Sequence, residues 1–280
     1  KNYLANMAGI PVVEETYSWL LDNVNEDLLS ICGTLLLHEL FYFGWYIPFY
    51  IAEQMPSMQK YKVQKNKLNT SAVHMNCFRG VVFNHFVIEP ILIGGGHFFL
   101  KMLGMRAGLP LPPVSTLAAM VVGCFIVEDF YFYWVHRLLH AGFWYQYIHK
   151  IHHEHAAPFG MAAEYAHFVE VIFLGMGTIL GPLLFCRHMF ALWVWLFFRL
   201  YQTVEAHCGY EFPWAPSQIF PLWAGAEYHD YHHETFTGNF ASTFKIWDYV
   251  FGTDVKYYRR KQKRAAQAAE QEEQNRAKLQ

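Results

Sequence analysis

The chain has 280 residues, of which 54% are hydrophobic, 19% aromatic and only 16% charged. Ordinary soluble domains are about 45–50% apolar and about 25% charged, so the composition excludes a disordered chain and disfavours a freely soluble globule. Twenty-one basic against 23 acidic residues leave a formal charge of −2, which offers no basic field for nucleic acid. The five cysteines (Cys32, Cys77, Cys124, Cys186, Cys208) are scattered through apolar stretches without a CxxC pair. A disulfide scaffold or thiolate zinc site is therefore not expected.

Residues 1–27 are mixed in character and read as an N-terminal surface segment. The chain opens on Lys1, so further residues are expected before it, and no cleavable signal peptide is expected in what is present. Residues 28–135 read as membrane helices, since about 20 apolar residues suffice to span a bilayer. The run 28–51 is interrupted by His38 and Glu39, and a basic stretch follows from Lys60 to Lys67. The runs 77–103 and 111–135 are joined by a turn bearing Gly108, Pro110, Pro112 and Pro113. A fourth run, 171–200, contains Gly181-Pro182 and then Arg187-His188. Proline disrupts a helix interior, so this run reads as a hairpin inside a histidine-rich region, 136–255. Residues 256–280 read as an exposed charged tail. Basic clusters at 60–67 and 256–264 place those segments on the cytosolic side.

Histidine decides the functional reading, with 16 copies. His136 and His140 form HxxxH; His149, His152 and His153 form HxxHH; His229, His232 and His233 repeat HxxHH. Residues at i, i+3 and i+4 share a helix face, so each cluster is expected to aim its imidazoles at one point. Imidazole is a ligand for iron and zinc, and eight histidines exceed the needs of one tetrahedral ion, so two ions are expected. The first box begins one residue past the run 111–135, and an ionisable cluster at a membrane boundary is costly unless it serves a function. His38-Glu39 and Asn84-His85 lie inside apolar runs and read as interior polar groups satisfied by their neighbours. Asp129 and Glu205 are candidates to orient metal-bound histidines.

The longer strings HRLLH (136–140), HKIHHEHAAPFGMAAEYAH (149–167), QTVEAHCGYEFPWAP (202–216), GAEYHDYHH (225–233) and NFASTFKIWDYVFGTD (239–254) resemble the fatty acid hydroxylase/sterol desaturase superfamily, most closely its C-4 methylsterol oxidase branch. The resemblance spans roughly residues 30–255. It implies an all-α integral membrane protein whose transmembrane helices carry a cytosolic helical cap with a histidine-ligated di-iron centre. The implied ligands are His136, His140, His149, His152, His153, His229, His232 and His233, joined by His207 and less firmly by His167. Phe168 stands where the family usually has proline after that histidine, and Thr203 stands where some members have a further histidine.

The resemblance also implies stepwise oxidation of a sterol C-4 methyl to a carboxylate by two iron ions and O2, with zinc an alternative occupant of the same nitrogen sites. NAD(P)H-derived electrons would arrive through cytochrome b5 and its reductase, since no dinucleotide-binding glycine fingerprint occurs here. A sterol C-4 decarboxylating dehydrogenase would take the product, and the setting would be the endoplasmic reticulum membrane with the active site facing the cytosol. A sister activity (sterol C-5 desaturation or fatty-acyl hydroxylation) and a non-catalytic sterol-pathway scaffold are the alternatives.

Overall fold

The computed structural model describes residues 11–278; residues 1–10 of the N-terminal segment and the last two of the tail lie outside the described residues. The regular structure is helical: α1 (Pro11–Asn23), α2 (Glu26–Gln54), α3 (Ser71–Met102), α4 (Val114–Leu139), α5 (Phe168–Phe185), α6 (Met189–His207), α7 (Gly225–Thr235) and α8 (Val255–Ala277), with short turns between them. Four of these, α2 to α5, are long and apolar enough to cross a membrane.

Local chemistry sets the element ends. Asn25 caps α2, its side-chain oxygen accepting from the backbone N–H of Asp27 and Leu28 at 3.0 and 3.2 Å, as a helix N-terminus requires. Thr70 does the same for α3 at Val73. Within α3 the backbone widens to a π turn over Asn84–Ile88. Such turns mark functional sites more often than ordinary helix does. In the fourth apolar run the chain does not turn at Gly181-Pro182. Helix α5 continues to Phe185, and the reversal falls at Cys186–His188. Gly181 is instead a packing contact, where a Cβ would lie 2.8 Å from the Cys124 Cα. Small residues let membrane helices approach closely, and here they seat α5 on α4.

Helix α6 runs through the middle of the bundle and buries Ala191, Leu192, Trp195, Leu200 and Val204. Trp193 donates to the Thr34 hydroxyl on α2 at 2.8 Å, and Trp195 donates to the Thr178 carbonyl on α5 at 2.9 Å. The outward faces carry Leu36, Leu40 and Ile47 on α2, Phe86, Ile91 and Phe98 on α3, and Val122, Ile126 and Phe130 on α4, all exposed. Large exposed apolar surfaces of this kind mark a membrane or partner contact, and on helices of spanning length they face lipid.

The turn at 186–188 lies against the loop before α4, with Arg106 N–H donating to the Arg187 carbonyl and Met189 N–H to the Arg106 carbonyl. Both α4 and α6 start from that end and finish at the opposite one, where His136, His140 and His207 sit. At 1.5 Å per residue, the 19 residues of α6 cover about 28 Å, close to the thickness of a bilayer's hydrocarbon core. The histidines are thus gathered at one boundary of the bundle, under a cap built from residues 140–167 and 208–254.

The close contact at Gly181 gives a test. Gly181→Ala must displace Cys124 on α4, and overpacking of this type costs about 1–3 kcal/mol. The thermal midpoint of the purified protein in detergent should fall, whereas Gly44→Ala on α2, where a Cβ meets nothing within 4 Å, should leave it unchanged.

Candidate metal centre

Nine buried or half-buried histidines converge beneath the cap in two groups. His136, His140, His149, His153 and His232 form one; His152, His207, His229 and His233 form the other. The boxes are therefore not each aimed at one point. His149 and His153 enter the first group while His152, between them, enters the second; His229 and His233 enter the second while His232 enters the first. The physical reason is angular. Residues four apart project almost together, whereas the third is offset far enough to face a neighbouring point. The second box is not an α-helix at all, being a π turn (Tyr145–His149) followed by a 3-10 turn (His152–Glu154).

The cap fixes the ring orientations. His136 Nδ1–H donates to the Phe240 carbonyl at 2.8 Å, His232 to Gly238 at 2.7 Å, and His207 to Thr203 at 2.7 Å. His152 donates to Tyr165 at 3.1 Å and His233 to His155 at 3.2 Å. A carbonyl only accepts, so in each ring the proton is on Nδ1 and the Nε2 lone pair is free. The free Nε2 atoms of His152 and His207 face each other at 3.2 Å. Those of His136, His232 and His207 also approach the Nε2 of His149, His140 and His229, to 3.0, 3.1 and 2.9 Å.

Two facing lone pairs repel, and a cation between them removes the conflict. Nitrogens about 2.0–2.1 Å from a shared ion, the usual metal–imidazole length, lie about 3 Å apart at right angles. The donor set fits two nitrogen-ligated metal ions. Burial pushes the imidazolium pKa of His149 and of His232 down to about 3 and that of His152 to about 4, so these rings are neutral ligands at pH 7.

A cavity of about 460 Å³ reaches this centre from among the spanning helices. Its far walls come from α2, α3, α5 and α6, and its inner end is formed by His136, His149, His152, His207 and His229.

The fatty acid hydroxylase family profile matches residues 121–253, the stretch that holds every residue of both groups. A provisionally assigned methylsterol monooxygenase of Dictyostelium discoideum is 49% identical over 93% of this chain and 97% of its own length. The chain belongs to the fatty acid hydroxylase family. A methylsterol monooxygenase of Gallus gallus is 41% identical to this family member, over 90% of this chain and 86% of its own. A protein of Oryza sativa named as a very-long-chain aldehyde decarbonylase is 43% identical over 89% and 94%. No solved structure matches.

Among the candidate residues of this fatty acid hydroxylase family member, His167 stands apart. It lies outside both groups and caps α5, its Nδ1 accepting from the Val169 N–H at 3.2 Å. Asp129 and Glu205 do not orient ligand rings directly. Asp129 accepts from the backbone N–H of Thr243 and Phe244 at 2.7 and 3.0 Å, and Glu205 accepts from the Trp223 indole at 3.1 Å. Asp129 works one step further out. With Asp248, which accepts from the N–H of Phe240 and Ala241, it holds the loop whose carbonyls orient His136 and His232. Gly238 makes that loop fit, at φ +88° with the Thr253 carbonyl oxygen where a Cβ would stand.

The carboxylate that does reach a ligand is Glu170, whose Oε1 lies 2.9 Å from His149 Nδ1, off the line of the N–H. Sequence reasoning passed over it, although an acidic residue immediately before the apolar run 171–200 was a usable signal. Groups beside ligand rings typically contribute about 10–100-fold to metal affinity or activity. Glu170→Gln should therefore release metal from the purified protein at a correspondingly lower chelator concentration, measured by metal content after dialysis, with both ions still bound in the absence of chelator.

Proposed function

We propose that this chain is a methylsterol monooxygenase that oxidises a C-4 methyl of 4,4-dimethyl or 4-methyl sterols through alcohol and aldehyde to the carboxylate, using two iron ions. The observation that carries the reading is the cavity. It opens among lipid-facing helices, is walled by apolar side chains such as Leu92, Phe132, Leu174, Ile179, Leu196 and Leu200, and ends on the ligand histidines. Its volume falls within the about 300–1,000 Å³ range of small-molecule sites, and a rigid apolar substrate can enter it from the bilayer. The relatives named as methylsterol monooxygenases over nearly the whole chain support the same substrate class.

Imidazole-ligated iron with open positions supplies oxygen activation and the oxidation of an unactivated C–H bond. This chain's residues position and exclude. The apolar walls orient the sterol and keep water from its reacting end, and Phe132 lines the cavity with its ring centroid 5.0 Å from that of His136. Each round consumes one O2, two electrons from the carbon oxidised and two electrons with two protons from outside; the first and third rounds return one water, and the alcohol-to-aldehyde round returns two. Those donor electrons come from NAD(P)H through cytochrome b5 and its reductase. A receiving surface is at hand, because α8 lies beside the ligand helix α7, with Lys261 bonded to Glu227 and half-buried Arg260 bonded to Glu234, and it leaves Lys256, Arg259 and Lys263 exposed. The carboxylate product suits a sterol C-4 decarboxylating dehydrogenase, and the setting is the endoplasmic reticulum membrane.

The reading is tested by supplying microsomes that contain the chain with 4,4-dimethyl and 4α-methyl sterols. The 4-carboxysterol is the expected product. It should vanish with His152→Ala, which removes a metal bond, and persist with Thr203→Ala, because the Thr203 contact to His207 is made by its carbonyl. Conversion of a long-chain aldehyde to alkane with the sterols untouched would instead assign the activity named for the rice relative.

The two ends of the bundle should lie on opposite sides of the membrane, with the cap and α8 in the cytosol. A glycosylation acceptor in the 104–113 loop should be modified in microsomes, and one placed after α8 should not. Modification of the second alone would invert the orientation and remove the metals from the donor's side.

A further inference from the structure

A third cluster stands away from the nine histidines, on the wall of the same cavity. His38 and Glu39 come from α2, His85 and Glu89 from the π turn of α3 and the residue after it, and Glu164 from the cap. One ligand atom from each of His38, His85, Glu89 and Glu164 lies within 4.8 Å of the other three. His38, His85 and Glu89 are buried, and Glu164 is half-buried.

These groups do not satisfy one another as hydrogen-bond partners. His85 Nε2 lies 2.7 Å from Glu164 Oε2 and 3.7 Å from Glu89 Oε1. His38 Nδ1 lies 3.2 Å from Glu89 Oε2. Yet His85 Nε2, His38 Nδ1, Glu89 Oε2 and Glu164 Oε2 all lack an aligned hydrogen-bond partner. Close approach without alignment is what atoms aimed at a shared third body show. The ring of His85 is held for that purpose, because its other nitrogen, Nδ1, hydrogen-bonds Glu39 Oε2 at 3.1 Å. A carboxylate behind a histidine whose far nitrogen points into a ligand set is the arrangement that orients metal-bound imidazole.

Charge points the same way. Three carboxylates surround two imidazoles at the depth of the spanning helices, and unpaired charge there is expensive. A mixed set of imidazole and carboxylate donors suits divalent zinc, iron or manganese. We propose that His38, His85, Glu89 and Glu164 bind a third divalent transition-metal ion, separate from the two held by the nine histidines. The ion joins α2 and α3 to the cap across one wall of the cavity. The alternative, a network of protonated histidines paired with carboxylates, uses the same residues and needs no metal.

Metal content separates the two without reference to sterol oxidation. The full chain in lipid nanodiscs is incubated with excess zinc, freed of loose metal on a chelating column and analysed for zinc per chain. The wild type should hold three ions, Glu89→Gln and His85→Ala two, and His152→Ala should lose metal from the histidine centre while keeping the third. Glu89→Gln preserves the side chain's shape, so it remains informative if His85→Ala fails to fold. Two ions in the wild type, or three that survive both substitutions, would overturn the proposal. Anomalous scattering at the zinc edge should show the third peak beside His85, and its absence would overturn it equally.

Discussion

The structure depends on a conflict that the protein alone does not resolve. Backbone carbonyls of Thr203, Tyr165, Gly238 and Phe240 hold the Nδ1 protons of four ligand rings, and so turn their basic nitrogens inward to within about 3 Å of other basic nitrogens. Burial removes the remedy of protonation, since a charged imidazole there would be both desolvated and crowded by its neighbours. A cation between the facing nitrogens answers the arrangement without moving the rings. The bundle can then be understood as the frame that imposes it. Helices α4 and α6 deliver His136, His140 and His207 at one boundary, α7 supplies the third box, and the loop 236–245 turns the carbonyls toward the rings.

That frame explains why the outlying carboxylates matter although they touch no ligand. Asp129 is buried on α4 and spends its charge on the N–H groups of Thr243 and Phe244. Asp248 spends its own on Phe240 and Ala241. Charge-assisted bonds to backbone N–H are among the stronger ones available, and these fix the loop that fixes the tautomers. The precision of the centre comes from bonds two and three steps removed from the metals.

The sequence made much of this legible. Apolar runs located α2, α3 and α4 to within about six residues at each end, because hydropathy over about 20 residues is a direct statement of lipid exposure, while the fourth run merged α5 with α6. The three boxes and His207 were legible because imidazole pairs at helical spacing have few other uses. What escaped was anything set by tertiary contact. Proline at 182 suggested a break, yet α5 continues through it, as membrane helices tolerate, and the reversal waits for Cys186–His188. Spacing suggested that each box aims at one point, while residues four apart and the one between them face neighbouring points, which divides both HxxHH boxes between the two groups. His167, the less firm candidate from its string, sits at a helix start, where an N-cap acceptor is needed. Glu170 lay unnoticed at the edge of an apolar run.

The π turn at Asn84–Ile88 links the lipid-facing and the polar halves of the molecule. A regular helix advances by 100° per residue, and one inserted residue rotates everything beyond it. In α3 this leaves Phe86 and Val87 exposed to lipid while His85 and Glu89 face inward beside Glu164. Asn84 uses the same turn to donate to the carbonyls of Glu164 and Ala166 at 3.3 and 2.9 Å. The segment that includes Tyr165, whose carbonyl orients His152, is thereby tied to a membrane helix. The wall of the cavity and the orientation of a metal ligand thus share one support.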